Sequence, residues 1–159
     1  MGLDMYLYAK KFVSSSSWGT EDNKKKVKSI ARLMKGPKFI EDEEYSLQFS
    51  EVKLQKIAYW RKANQIHKYF VDKCAGGKDE CQDTYVEREH LEDLLNRCET
   101  VMKDRSRAEE LLPSQSGFFF GSTEYDEWYY QDLEYTIPIL KKILKDAPKD
   151  WEFEYRASW

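Results

Sequence analysis

Alternation of apolar and polar residues predicts a strand at each end of this chain. Near the N-terminus, Leu3, Met5 and Leu7 are separated by single residues that are less apolar. At the C-terminus five apolar positions alternate with four polar ones, and the apolar set is Trp151, Phe153, Tyr155, Ala157 and Trp159. Because successive side chains of a strand point to opposite faces, each strand has an apolar face to bury, and we expect these two strands to pair.

In the middle of the chain, the spacing of apolar residues changes from the alternation of a strand to the three- or four-residue spacing of a helix. Alternation over 43–60 predicts a middle strand. Apolar residues three or four positions apart predict helices over 21–36, 59–73, 87–103 and 124–146.

Together these elements predict an α+β fold. It consists of a small, mostly antiparallel sheet of N-terminal, middle and C-terminal strands, packed against three to four helices. The length of 159 residues is typical of a single domain, so we expect one domain over 1–159. Thr123 is expected to cap the last helix, and Pro138, which lacks an N–H, to kink or break it.

Composition narrows the classes of partner. The net charge is -3, which does not favour general binding to a nucleic-acid backbone. No stretch approaches the roughly 20 apolar residues of a membrane span, and the N-terminus lacks the basic start and apolar run of a signal peptide. Cys74, Cys81 and Cys98 are an odd number without a C-x-x-C pair, which fits a reducing compartment.

Charge is unevenly distributed along the chain. The segment Lys10–Lys38 holds nine Lys/Arg and two Asp/Glu, whereas Glu109–Glu134 holds seven Asp/Glu and no Lys/Arg. Either two solvated faces attract each other within the fold or between subunits, or the basic end helps to capture an anion.

The segment Gly117–Gly121 encloses three phenylalanines between two glycines. In an extended backbone the middle ring would face away from its neighbours, so these rings form either a glycine-bounded core segment or a stacking wall. Just downstream lie four further rings: Tyr125, Trp128, Tyr129 and Tyr130. They cover more than one side of a helix, so we expect at least one to be exposed.

A second candidate is the stretch YWRKANQIHKYF, residues 59–70. Arg61, Lys62, Asn64 and His67 place cationic and amide donors beside Trp60. A planar guanidinium and aromatic rings are what recognition of a nucleotide phosphate and base requires. The alternative is an amphipathic helix with a solvated basic side and a histidine at the edge of the core.

Residue patterns do not indicate catalysis or metal binding. Histidines and cysteines fall at spacings of six to eight intervening residues, unlike a structural zinc site. The common motifs of hydrolases, nucleotide-binding loops and metalloproteases are missing, and nothing recommends His67 and Cys74 as a nucleophile pair. We therefore expect a protein that is not an enzyme and that needs no cofactor or metal.

Three segments resemble a family of small phage and bacterial proteins: MGLDMYLYAK, YWRKANQIHKYFV and LLPSQSGFFFGSTEYDEWYYQDLEYTI. The occurrence of that family in phages and bacteria implies that its members are phage accessory proteins that blunt host antiviral defence. One such strategy is to sequester a cyclic or modified nucleotide signal without cleaving it.

The resemblance, together with the rings and donors above, predicts a nucleotide-like ligand, a homo-oligomer and a cytoplasmic location, that of the host if a phage encodes the chain. The predicted ligand-binding residues are Trp60, Arg61, Lys62, Asn64, His67, Phe118, Phe119, Phe120, Ser122, Tyr125 and Trp128. One alternative is an inhibitor that binds a host defence protein or a protein that acts on nucleic acid, through the aromatic and acidic surface of Glu109–Glu134. A weaker alternative is an enzyme that processes the nucleotide.

Overall fold

The computed structural model describes residues 2–11, 21, 22, 25 and 52–159. Contacts divide the chain into two compact units, Met1–Ala9 with Gln55–Trp159, and Lys10–Leu54. The first of these units is described below. The predicted helix over 21–36, apart from three helical residues, and the strand-like stretch before Val52 lie outside the described residues, as does most of the basic segment. The single domain over 1–159 stays a prediction.

In the described part of the chain, four strands form the sheet of this α+β fold, which confirms the predicted fold class. They are β1 (Asp4–Lys11), β2 (Val52–Arg61), β3 (Thr84–Val86) and β4 (Glu152–Ser158), in the order β2-β1-β4-β3. The N- and C-terminal strands are neighbours, as predicted. The short strand β3 pairs antiparallel with β4, and it was not predicted because three residues are too few for alternation to indicate a strand.

Four α-helices are described: α1 (Asn64–Lys73), α2 (Arg88–Lys103), α3 (Ala108–Leu111) and α4 (Glu127–Asp146), with a 3-10 turn at Arg105–Arg107. The prediction for α2 is confirmed to within one residue. The prediction that helix begins at 59 is wrong, because β2 continues to Arg61 and a turn separates it from α1.

Helix α4 begins three residues later than predicted. Its N-cap is Asp126, whose carboxylate accepts hydrogen bonds from the N–H groups of Trp128 and Tyr129. The prediction of Thr123 as the cap is therefore wrong. Pro138 lies inside α4 on an exposed side, and the helix continues past it to Asp146.

The core lies between the sheet and the helices. Leu3, just before β1, and Met5 and Leu7 within it are fully buried, as the alternation predicted. On β4 the ring of Tyr155 stacks on Phe70 of α1 with centroids 4.2 Å apart. Burying a large apolar side chain stabilises a fold by about 1.5–3 kcal/mol, so these faces hold α1 and the two terminal strands together.

Candidate functional site

The turn between β2 and α1 sets the position of two cations, Arg61 and Lys62. Lys62 has φ 60, a left-handed conformation that is unusual for a residue with a side chain. Its N–H donates to the carbonyl of Leu3 at 2.8 Å, and its own carbonyl accepts from the N–H of Asn64 at 2.9 Å. Strain of this kind persists where surrounding contacts hold it and is concentrated at functional sites.

Two glycines lie against this turn. A Cβ on Gly121 would be 3.4 Å from the Cβ of Lys62, and a Cβ on Gly2 would be 3.5 Å from its Cε. Gly121 also has φ 88, which favours glycine. The side chain of Lys62 is thus bordered by the N-terminal segment on one side and by the segment after the phenylalanines on the other.

Asn64 fastens the phenylalanine segment to the start of α1. Its Nδ2 donates to the carbonyls of Phe120 at 3.1 Å and Ser122 at 2.7 Å, and its Oδ1 accepts from the N–H of Gln115 at 3.1 Å. The side chain is 3% exposed and its polar atoms are engaged. Asn64 therefore positions the loop that borders the cleft, and its amide is not free for a ligand.

The phenylalanine segment is a tight turn and not the extended segment that we expected. The N–H of Phe120 donates to the carbonyl of Gly117 at 3.2 Å. Phe120 is buried, Phe119 is half-buried, and Phe118 is 93% exposed. A Cβ on Gly117 would lie 2.5 Å from the ring of Phe120, so only glycine leaves room for this ring to fold back. One ring of the three is therefore core, and one points into solvent.

Helix α4 presents a stripe of side chains at Trp128, Asp132 and Tyr135. These positions share one face because residues three or four apart are neighbours on a helix. Trp128 is 73% exposed and Tyr135 is 52% exposed. The exposure of Trp128 confirms that at least one of the four rings downstream of the glycines faces solvent.

The cationic turn and the α4 stripe border the same cleft, which has a volume of about 670 Å³. This volume lies within the range of small-molecule sites, roughly 300–1,000 Å³. The walls come from the β2–α1 turn with the start of α1, from the segment 121–126, and from the first half of α4. The lining residues used below are Arg61, Lys62, Gln65, Trp128, Asp132 and Tyr135.

Charge is divided between the walls of the cleft. Arg61 and Lys62 are exposed and form no salt bridge with any described residue. Glu124, Asp126 and Asp132 lie on the segment before α4 and on α4 itself. An anionic group is therefore favoured at the β2–α1 turn and disfavoured at the N-terminus of α4, where carboxylates already complement the helix dipole.

Asp132 is the most perturbed carboxylate of the cleft. Its Oδ2 accepts from Nε2 of Gln65 at 3.1 Å, and the same nitrogen lies 3.3 Å from the carbonyl of Tyr129. Burial, with a smaller contribution from the charge of Asp126, raises the pKa of Asp132 to about 6, and the hydrogen bond from Gln65 opposes this rise. A desolvated carboxylate in a cleft is typical of functional sites.

The structure brings together five of the predicted site residues: Arg61, Lys62, Asn64, Ser122 and Trp128 all border the cleft. Trp60 does not. It is buried on β2, and its Nε1 donates to Oγ1 of Thr136 at 2.8 Å. Tyr125 is half-buried and packs edge-on against Tyr129 at 5.0 Å, outside the lining of the cleft. The three phenylalanines also lie outside that lining.

His67 belongs to a separate buried network. Its Nε2 lies 2.9 Å from Oδ2 of Asp79, and its Nδ1 lies 2.7 Å from the hydroxyl of Tyr155. Since Asp79 is an acceptor, Nε2 carries the proton, and in the neutral ring Nδ1 accepts from Tyr155. The ring is 1% exposed and meets the edge of Phe120 at 5.1 Å. This network joins α1, β4 and the loop before β3.

Burial raises the pKa of the Cys74 thiol to about 12. This thiol is therefore protonated at neutral pH, which does not favour its pairing with His67 as a nucleophile. Among the described residues, no group of three or more His, Cys, Asp and Glu side chains has the arrangement of a metal site.

Sequence reasoning missed Gln65, Asp132 and Tyr135. A signal for the last two was present, because they follow Trp128 at positions i+4 and i+7. Gln65 carried no such signal, since its role depends on α4 passing beside the start of α1.

A search of protein-family models, curated proteins and solved structures found no match to this chain. In the part of the chain that the structure describes, no helix combines the length and apolar character that crossing a bilayer requires.

Proposed function

We propose that the chain binds a nucleotide-like molecule in this cleft and holds it without converting it. The observation that carries the proposal is the pairing of two cations, which form no salt bridge with any described residue, on one wall with an exposed tryptophan and tyrosine on another. A guanidinium binds phosphate oxygens through two parallel hydrogen bonds, which fixes the orientation of the ligand. Stacking of a base on an aromatic side chain contributes about 1–3 kcal/mol.

The division of charge supports one orientation of the ligand. The phosphate would lie at Arg61 and Lys62, and the base would lie along α4, between Trp128 and Tyr135. Carboxylates at the start of α4 would repel the phosphate from that end of the cleft. The predicted phosphate contact at Arg61 is retained in this arrangement, whereas Trp128 replaces Trp60 as the stacking ring.

We further propose that this binding serves the role that the resemblance to phage accessory proteins implies. A protein that retains a cyclic or modified nucleotide would lower the free concentration of a host antiviral signal, and it would do so in the cytoplasm of the host. Such a role needs high affinity and slow release, and it needs no catalytic residue.

The proposal is tested by calorimetric titration with nucleoside monophosphates, cyclic dinucleotides and ADP-ribose, followed by mass analysis of the recovered ligand. We expect binding to the parent protein, and about 10- to 100-fold weaker binding to Arg61→Ala, because a hydrogen bond to a charged group contributes about 1.5–3 kcal/mol. Arg156→Ala is the matched control, since Arg156 is exposed on β4 and lies outside the cleft. Equal loss in both variants, or no binding by the parent, would overturn the proposal.

Recovery of the ligand separates binding from catalysis. An unchanged ligand supports sequestration, and a converted ligand would make the chain an enzyme that acts on the nucleotide.

One observation favours a second candidate, an inhibitor that binds a host defence protein. Phe118 and Trp128 are exposed, the exposed acidic residues Glu124 and Glu127 lie between them in the sequence, and exposed aromatic side chains are typical anchors of protein interfaces. Charge reversal at Glu124 and Glu127 would then abolish capture of the partner from host lysate, and Arg61→Ala would leave it intact. The same exposed rings would serve contacts between copies of this chain, which light scattering tests.

A further inference from the structure

We propose that the cleft selects a guanine base, whose N1–H and exocyclic N2–H both donate to the carboxylate of Asp132. This inference rests on the proposed function and names the class of nucleotide that the site accepts. It makes Asp132 a residue that determines specificity.

The first argument is the position of Asp132 among the rings. It lies four residues after Trp128 and three residues before Tyr135 on the exposed stripe of α4, and all three residues line the cleft. A base that contacts the Asp132 carboxylate therefore has an aromatic side chain on either side along the helix. The phosphate is then directed to the wall formed by the β2–α1 turn, where Arg61 and Lys62 lie.

The second argument is that the carboxylate is held in place before a ligand arrives. Gln65 is buried, and its Nε2 contacts both Oδ2 of Asp132 and the carbonyl of Tyr129. Oδ1 of Asp132 has no hydrogen-bond partner among the described residues. A fixed side chain with a free acceptor oxygen loses little conformational entropy when it binds a donor.

The third argument is the pattern of donors and acceptors on the bases. An ionised carboxylate accepts hydrogen bonds and cannot donate them. Guanine presents two adjacent donors on its Watson–Crick edge. Adenine and cytosine present one amino group beside a ring nitrogen with a lone pair, and that lone pair would face a carboxylate oxygen. Uracil presents one N–H between two carbonyl groups. Guanine is thus the base whose edge matches two acceptor oxygens.

The proton on Asp132 gives this selection a pH dependence. With its pKa at about 6, Asp132 is ionised at neutral pH and becomes protonated below that value. A protonated carboxyl loses one of its acceptors, so affinity for a guanine nucleotide falls as the pH drops through about 6. The other charged groups that line the cleft are Arg61 and Lys62 on the β2–α1 turn and Glu124 and Asp126 before α4, and of these the charge of Asp126 acts on Asp132.

The experiment compares guanosine, inosine and adenosine 5′-monophosphates by calorimetric titration at neutral pH. Inosine retains the N1–H and lacks the exocyclic amine. We expect guanosine monophosphate to bind about 10-fold more tightly than inosine monophosphate and at least 100-fold more tightly than adenosine monophosphate.

Two variants complete the test. Asp132→Asn presents one acceptor and one donor, which match the edge of adenine, so we expect the preference for guanosine to be lost or reversed. The fall in affinity below about pH 6 should shrink to the part that protonation of the ligand phosphate causes. Glu134→Gln is the matched control, because Glu134 is exposed on the same helix and does not line the cleft. It should retain the preference and the pH profile of the parent. Circular dichroism of both variants is the control for folding.

The outcomes distinguish this inference from the function on which it rests. Equal affinity for guanosine and adenosine monophosphates, or an unchanged preference in Asp132→Asn, would overturn base selection and leave nucleotide binding in place. Failure of the folded parent to bind any nucleotide would overturn the proposed function, and the selection with it.

Discussion

Lys62 combines a strained backbone with a charge that the cleft requires. Its φ of 60 costs about 1–2 kcal/mol for a residue with a Cβ, and glycine would adopt this conformation without that cost. The strain is held by the hydrogen bond from the N–H of Lys62 to the carbonyl of Leu3 and by that from the N–H of Asn64 to the carbonyl of Lys62. The backbone conformation of Lys62 therefore lowers the stability of the fold, whereas its charge favours an anion in the cleft.

Substitution of Lys62 separates these two effects. We expect Lys62→Gly to be at least as stable as the parent, with a gain of up to about 1 kcal/mol, and to bind a nucleoside monophosphate more weakly. Lys62→Ala removes the same charge and keeps the strain, so it should lose the same affinity without the gain in stability. Denaturant unfolding and calorimetric titration measure the two quantities. A Lys62→Gly protein that is clearly less stable than Lys62→Ala would contradict the role assigned to the backbone.

At the scale of the element, α4 supplies both core and cleft. Its buried side includes Leu133, Leu140 and Ile143, and its other side carries the stripe from Trp128 to Tyr135. The carboxylate of Asp126 determines where the helix starts, because Oδ1 accepts from the N–H groups of residues 128 and 129 at 3.0 and 3.1 Å. The start of the helix in turn places Trp128 in its first turn, at the edge of the cleft.

Removal of this cap tests the boundary of the helix. We expect Asp126→Ala to lower the free energy of unfolding by about 1 kcal/mol, within a range of 0.5–2 kcal/mol for lost N-caps. Asp126→Asn retains an acceptor oxygen at the cap and should be nearly neutral. Thr123→Ala should change little, because Thr123 is exposed and does not cap α4. If Thr123→Ala proved as destabilising as Asp126→Ala, the observed start of α4 would be wrong.

At the scale of the whole molecule, three buried tyrosines tie the helices to the rest of the fold. The hydroxyl of Tyr69 donates to the carbonyl of His90 at 2.8 Å, that of Tyr129 donates to the carbonyl of Leu112 at 2.8 Å, and that of Tyr155 lies 2.7 Å from His67. Burial raises the pKa of each above its usual value, with the hydrogen bond to Asp93 adding to the rise at Tyr69 and the charge of Asp79 at Tyr155.

These shifts predict loss of stability in alkali. The native protein keeps tyrosine protons that the unfolded chain releases above about pH 10, so the free energy of unfolding falls as the pH rises past that value. Each tyrosine contributes a slope that approaches about 1.4 kcal/mol per pH unit once the tyrosine of the unfolded chain is fully ionised. Denaturant unfolding between about pH 9 and about pH 11 measures it. Tyr69→Phe should reduce the slope by the contribution of one proton, and an unchanged slope would contradict the burial of this hydroxyl.

Local sequence patterns determined much of the secondary structure of this protein. Alternation at 3–7 and 151–159 and the helical spacing at 87–103 indicated β1, β4 and α2, because a repeat of apolar residues matches the period of the element that buries them. The charge and the planar donor of Arg61 are likewise properties of the residue itself. These two properties of Arg61 favour contact with an anion whatever the positions of the other elements.

Tertiary packing alone decided which residues meet at the cleft. The walls of the cleft come from the β2–α1 turn and from the distant segment that contains 121–126 and the stripe of α4. The spacing of apolar residues along an element shows that one face is apolar, but it does not show which other element packs against that face. Packing buried Trp60 and His67, turned Asn64 from a ligand contact into a support for the loop, and placed Gln65 beside Asp132. The resulting loss of water around that carboxylate is what raised its pKa, because desolvation depends on every neighbour that the fold brings near.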